Sequence, residues 1–284
     1  MDSVETRELT YFVTVAEELN FTRAAARLQI AQPPLSRAIQ RLERRMGVTL
    51  LERTSRSVSL TPAGEVLLEE GRRALDAVQA AVRRTQRTAR PEAGLVVAMK
   101  PGGDAGLLPG ILAAYADEPD AVAVEVVFGL AERVDMLRDG RADVGLLHDR
   151  NDLRGFDTED LLVEDQVAIL PRGHRLAGRQ AVVMADLAGE PLSYSSGGRI
   201  YDAAGTPVRE GGQLMQLIAL GRAVSVVPTS IRGHLRSDLV SVPVLDAPAT
   251  TLVLAWPEGS RSRALAAFVR VASAVAARDH ADAV

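Results

Sequence analysis

The apolar positions of this chain follow two rhythms: helical spacing over the first 90 residues, and short strand-length runs after that. Leu9, Phe12, Val13 and Ala16 fall at i, i+3, i+4 and i+7, one face of an amphipathic helix. Asn20 and Thr22 are good cap residues, and Ala24, Ala25 and Leu28 predict a second, two-turn helix. A third helix opens at Gln32-Pro33-Pro34, because proline is tolerated in a first turn whose N–H groups are unpaired anyway. Leu35, Ile39, Leu42 and Met46 form its buried stripe, and Gly47 ends it. Residues 50–53 and 57–60, around Thr54-Ser55-Arg56, predict a two-stranded wing. Thr61-Pro62 is a second helix start, and the pattern then runs to about Ala89, a rod of roughly 40 Å. Gly64, Leu68, Gly71, Leu75, Val78, Val82, Thr85 and Ala89 recur at spacings of 4 and 3, a heptad seam. That seam predicts a helix–helix dimer through Leu68, Leu75, Val78 and Val82; a helix packed on its own domain is the alternative.

Arg90-Pro91-Glu92-Ala93-Gly94 breaks the rod, and strand and helix then alternate. Strands are predicted at 95–99, 122–128, 143–147, 163–170, 191–194, 223–227, 239–242 and 251–256. Helices are predicted at 107–115, 131–138, 214–220 and 261–277, with residues 278–284 as a frayed end. Short apolar strands alternating with helices argue for an α/β fold with a parallel sheet covered on both faces.

Composition narrows the function. The 284 residues hold no cysteine, which excludes disulfides, thiolate zinc sites and iron–sulfur clusters. The four histidines are not at ligand spacing, so no metal site and no cofactor is expected. An acidic N-terminus without an apolar run, and no membrane-length segment, make a cytoplasmic protein the expectation. The net charge of −4 hides an asymmetry: the first 90 residues carry 15 Arg against 11 acids, the remainder 18 basic against 26 acidic residues. Residues 21–57 alone hold eight Arg and two Glu. A compact basic head on an acidic body suggests a polyanion-binding head, with a solvated Arg-rich surface as the plain alternative.

The third helix sharpens this. Pro33, Ser36, Arg37, Gln40 and Arg44 lie opposite its apolar stripe, on a face with no carboxylate. Guanidinium and amide groups on one helical surface suit base edges and phosphates in the major groove. Two short helices, the second with an exposed basic face, make helix-turn-helix geometry, and the wing adds Arg53 and Arg56 for phosphate or minor-groove contact.

Here the sequence resembles a known family. Phe21-Thr22-Arg23-Ala24-Ala25-Ala26-Arg27-Leu28, Ala31-Gln32-Pro33-Pro34-Leu35-Ser36-Arg37-Ala38-Ile39, Leu42-Glu43, Gly47-Val48-Thr49-Leu50-Leu51-Glu52-Arg53 and Leu60-Thr61-Pro62-Ala63-Gly64 are similar to the LysR-type transcriptional regulators. The match is dense over residues 5–75 and collinear beyond. The resemblance implies a winged helix-turn-helix over 1–61, a dimerising linker helix over 62–90, and an effector-binding domain over 91–284. That last domain would resemble a periplasmic binding protein, with subdomain I at about 91–160 and 257–284 and subdomain II at about 161–256. It also implies promoter DNA, a small-molecule effector, a dimer of dimers and RNA polymerase as partners. Carried over by position, Gln32, Pro33, Pro34, Ser36 and Arg37 read DNA and Arg53 is the wing contact; Ala31 departs from the Thr or Ser of many relatives.

In open α/β sheets ligands bind beyond the carboxyl ends of strands. The loops there supply Lys100, Gly102, Gly103, Leu130, His148, Ser195, Ser196 and Arg199 as candidate effector contacts. Lys100 is the single lysine, and it favours an anionic effector. Regulators of aromatic-acid breakdown place hydroxyls where this chain has Gly102 and Leu130, which argues against a muconate- or benzoate-like ligand. No spacing makes a nucleophile elbow or a phosphate loop, so a binding protein is expected rather than an enzyme. An architectural DNA binder whose second domain only oligomerises, and an enzyme with a binding-protein-like fold and an accessory basic head, are the other readings.

Overall fold

A computed structural model describes residues 4–54, 57–89, 94–130, 132–196 and 199–282. The chain divides into two compact units, residues 1–85 with 138–140, and residues 86–137 with 141–284.

The first unit is built from α1 (Thr6–Glu18), α2 (Phe21–Arg27), α3 (Gln32–Met46), the antiparallel strands β1 (Leu51–Arg53) and β2 (Val58–Leu60), and most of α4 (Pro62–Thr88). Helices this short hold only by pooling their apolar faces. Phe12, Val15, Leu35, Ile39, Leu42 and Leu50 are fully buried in one shared core. The caps are those the sequence announces: the Asn20 side chain accepts the Arg23 N–H, Thr61 Oγ1 accepts the Gly64 N–H, and Gly47 takes φ +70°. Gly64 is required sterically, since a Cβ there would sit 2.1 Å from the Leu50 carbonyl oxygen. Met46, expected in the α3 stripe, is 37% exposed, because the stripe has run past the core by the last turn.

The seam of α4 divides. Leu68 and Leu75 pack on the core of their own unit, and Gly71 lies against Leu9 and Val13 of α1. The same helical face runs on beyond the reach of α1, and there Val78 and Val82 are 46% and 51% exposed. Leu68 and Leu75 are thus half-buried against their own unit, while Val78 and Val82 are the more exposed part of the seam.

The second unit opens with β3 (Leu95–Met99), α5 (Leu107–Ala116), β4 (Val124–Phe128), α6 (Arg133–Arg138) and β5 (Val144–His148). These strands are parallel in the order β4-β3-β5, and every residue of β3 and β5 is buried, as a sheet covered on both faces requires. The expected strand at 163–170 is in fact two strands, β6 (Phe156–Glu164) and β7 (Gln166–Pro171), parted only by Asp165. β6 belongs to the first sheet and β7 to a second one. Then follow β8 (Tyr194–Ser196), β9 (Arg199–Tyr201), β10 (Pro207–Val208), α7 (Gly211–Ala219), β11 (Ser225–Pro228), β12 (Leu239–Pro243), β13 (Thr250–Pro257) and α8 (Arg263–Asp282).

Subdomain I is the five-stranded sheet β4-β3-β5-β13-β6, with β13 antiparallel to both neighbours. Its core sets Val97, Leu146 and Leu254 under Ile111, Tyr115 and Phe268 of α5 and α8, while α6 covers the other face. Subdomain II is the antiparallel sheet β11-β7-β12, packed on α7, plus the small meander β10-β9-β8. The sheet is therefore mixed, not wholly parallel. The boundary also moves: β13 and the end of β6 belong to subdomain I, so the chain crosses between subdomains at Asp165 and again at 244–249. Helix α8 continues to Asp282 rather than fraying at 278. Among the described residues, no helix is long and apolar enough to cross a membrane.

Candidate nucleic-acid interface and ligand cleft

Helix α3 turns Leu35, Ala38, Ile39 and Leu42 inward. That rotation leaves Gln32, Pro33, Pro34, Arg37, Gln40, Arg41 and Arg44 exposed, with Ser36 half-buried. The arginines of this helix sort by pairing. Arg45 reaches back to the buried Glu8 of α1 at 2.8 Å. Arg37, Arg41 and Arg44 make no ion pair or side-chain hydrogen bond with any described residue, so their charge is available outward. Arg41 belongs with the expected contacts, although the sequence reading passed over it.

Arg53 has partners within its own unit. Its Nη2 lies 2.7 Å from Glu43 Oε2, and its guanidinium sits 5.0 Å from the Phe21 ring centroid. Glu43 Oε1 meanwhile accepts the Leu50 and Leu51 N–H groups at 3.0 and 3.2 Å. Together these bonds dock the wing onto α3, so Arg53 helps hold the fold together. Arg56 lies outside the described residues.

In the second unit a cavity of about 170 Å³ opens between the subdomains. It brings together Lys100, Leu130, His148 and Ser195, four of the eight expected contacts, from loops or strand ends far apart in sequence. Gly102 and Gly103 are not in its wall. Gly102, at φ +64°, packs on the His234 ring, and Gly103 makes room for the Lys100 stem, since a Cβ would fall 2.2 Å from Lys100 Cγ. The side chains of Ser196 and Arg199 lie outside what the structure describes.

The cavity also holds residues the sequence did not announce: Arg133, Gln166, Tyr194, Ser193 and Ser225, with Glu164 behind them. Arg133 is buried, with Nη1 donating to Leu146 O at 3.0 Å and Nη2 to Leu130 O at 3.3 Å. Tyr194 stacks on Tyr201 across the meander, ring centroids 5.3 Å apart.

The electrostatics are those of a cation held short of water. Burial, then the nearby Arg133 charge, pulls the Lys100 ammonium down to about 8, against a weaker opposite pull from Glu164. Burial likewise lowers Arg133 to about 10, which leaves it charged at neutral pH. His148 is lowered, chiefly by burial, and so is neutral at pH 7. Burial pushes Glu164 upward, but the groups around it, His148 and the Ser230 N–H at 2.9 Å, prevail and hold it low, so it is a carboxylate. His148 Nε2 stands 3.6 Å from Glu164 Oε2, too long for a hydrogen bond, and neither atom has a hydrogen-bond partner among the described residues.

Comparison with known proteins is informative over nearly the whole length. The model for the bacterial regulatory helix-turn-helix protein, lysR family, matches residues 6–65, and that for the LysR substrate binding domain matches residues 88–277. The chain is similar to the uncharacterized HTH-type transcriptional regulator YnfL of Escherichia coli (strain K12), 35% identical, over 90% of this chain and 93% of that one. It is also similar to the Hca operon transcriptional activator HcaR of the same organism, 30% identical, over 94% and 97% of the two chains. Among solved structures, CbnR, a LysR family transcriptional regulator, matches with a TM-score of 0.58 at 27% identity, covering 96% of this chain and 99% of that one. Full-length CbnR complexed with its target DNA matches with a TM-score of 0.55.

Proposed function

Because the chain belongs to the LysR family of bacterial helix-turn-helix regulators, we propose that its own signal is a small anion bound in the cleft between its two α/β subdomains. It is a DNA-binding transcriptional regulator with an effector-binding domain. The observation that carries the anion is Lys100, a largely buried ammonium in the cavity wall with no hydrogen-bond or ion-pair partner among the described residues. Charged groups are rarely buried without a partner, and an effector carboxylate would supply one.

On this reading Gln32, Pro33, Pro34, Ser36, Arg37, Gln40 and Arg41 meet the major groove, and the exposed Val78 and Val82 pair with a second copy of the chain. Higher assembly, contact with RNA polymerase and a cytoplasmic setting complete the proposal, which needs no catalytic group and no cofactor. The test is an electrophoretic shift on promoter DNA upstream of its own gene, paired with a thermal-shift screen of small acids. Stabilisation by an acid, lost in Lys100→Met, supports the reading; stabilisation confined to neutral compounds overturns it.

A further inference from the structure

The charges around the cleft can be counted. Lys100 follows β3, Arg133 stands on α6, His148 ends β5 and Glu164 ends β6. With His148 neutral, the buried set among the described residues is two cations against one carboxylate, one positive charge in excess. At the rim, Arg150 and Asp149 offset each other; Arg150 is held by the Pro248 carbonyl and Asp149 by Thr250 Oγ1. Arg133 turns three of its five N–H groups to the Leu130 and Leu146 carbonyls, so among the described residues Lys100 is the cavity-lining cation with no side-chain hydrogen bond of its own. The space is small: about 170 Å³, below the roughly 300 Å³ at which drug-sized pockets begin. Beside serine hydroxyls and Gln166, its lining carries the apolar side chains of Leu130, Ile200, Val226 and Val227.

We propose that the cleft selects a small organic monoanion with a short apolar tail, and that Glu164 is the residue that turns away a second negative charge. This deepens the anionic-effector reading and rests on it. One carboxylate entering beside Lys100 neutralises the excess charge and presents its tail to Leu130 and Val226. A second carboxylate finds, among the described residues, only Arg150 at the rim, already held by the Pro248 carbonyl and offset by Asp149. It lies instead in the field of Glu164, whose charge is fixed in place by the Ser230 N–H. Like charges a few ångströms apart in a partly desolvated site repel strongly enough to weaken binding by on the order of tenfold or more. Glu164 does not touch the ligand in this scheme; it is a specificity-determining residue that acts through charge.

The experiment uses the full-length chain and three probes of similar size, propionate, propionamide and malonate, with charges of −1, 0 and −2. Thermal shift is measured for each against concentration, with Lys100→Met as the reference that subtracts general salt effects. The wild-type chain is expected to be stabilised by propionate, to need roughly tenfold or more malonate for the same shift, and to ignore propionamide. In Glu164→Gln, malonate is expected to become at least as effective as propionate. Malonate as effective as propionate on the wild type overturns the one-charge rule while leaving the anion reading standing. Propionamide as effective as propionate overturns the anion reading itself. No shift with any probe overturns the proposal too. Should Glu164→Gln fail to fold, the wild-type ranking of the three probes decides alone.

Discussion

Pairing decides what each arginine and the one lysine of this chain can do, and composition does not reveal pairing. Arg37 and Arg53 look equivalent in the sequence, yet one faces solvent unpaired and the other is tied to Glu43 and Phe21. Arg37→Ala is therefore expected to cost roughly 1–3 kcal/mol of operator binding and to blur sequence preference, measured by electrophoretic shift. Arg53→Ala is expected instead to lower the thermal stability of the first unit by about 1 kcal/mol, through the lost charge-assisted bond and ring contact. Lys100 gives a pH signature whose two halves run in opposite directions. Its folded value of about 8 lies below the ordinary 10.5, so between those values the unfolded chain holds the extra proton. Stability from this group therefore rises as pH climbs from 8 to 10.5, by up to roughly 3 kcal/mol, while affinity for an anion falls because the ammonium is lost. Lys100→Met should flatten both curves, read by thermal unfolding and calorimetry; two unchanged curves would place the ammonium outside the site. The sequence pointed to Lys100 because it is the single lysine. It could not point to Arg133 or Glu164, whose roles depend on which carbonyls and which ring the fold brings beside them.

Periodicity located most elements, because a helix face or a buried strand writes its spacing into neighbouring residues. It failed where structure turns on one residue or on the absence of a neighbour. The run 163–170 reads as one strand by its apolar ends, yet the polar break Glu164-Asp165-Gln166 inside it is where the chain passes from one sheet to the other. The strands β9 and β10 are three and two residues long, too short for alternation to register. The seam of α4 was legible as an apolar face, but not the point at which α1 stops covering it. That point separates two variants. Val78→Glu with Val82→Glu leaves the core of the first unit intact and places like charges across a helix pair, so light scattering should report loss of the dimer with little change in melting temperature. Leu75→Glu buries a charge in the unit's own core and should lower stability as well. A dimer that survives the double valine variant would mean that α4 does not supply the interface.

At the scale of the whole molecule, a ligand regulates only by its differential affinity for two arrangements of the protein. The cleft is suited to that, since its two walls belong to subdomains joined at Asp165 and at 244–249, and Glu164 borders one crossing. The carboxylate of Glu164 holds the Ser230 N–H of subdomain II and stands 3.6 Å short of His148 in subdomain I. Glu164 and His148 both belong to subdomain I, so a small relative movement of the subdomains would make or lose the Glu164–Ser230 bond, and the occupied and empty cleft need not share one geometry. Coupling of this kind is reciprocal: if the effector changes operator affinity by some factor, operator DNA must change effector affinity by the same factor. With a typical coupling of about 1–3 kcal/mol, that factor is roughly 5 to 150. The measurement is calorimetric titration of an anion that stabilises the chain, with and without a saturating operator duplex, beside operator binding at zero and saturating anion. Matching factors above about 5 are expected. A factor of one in both directions would show that the anion leaves DNA affinity untouched, and that the signal acts on a later step at the promoter.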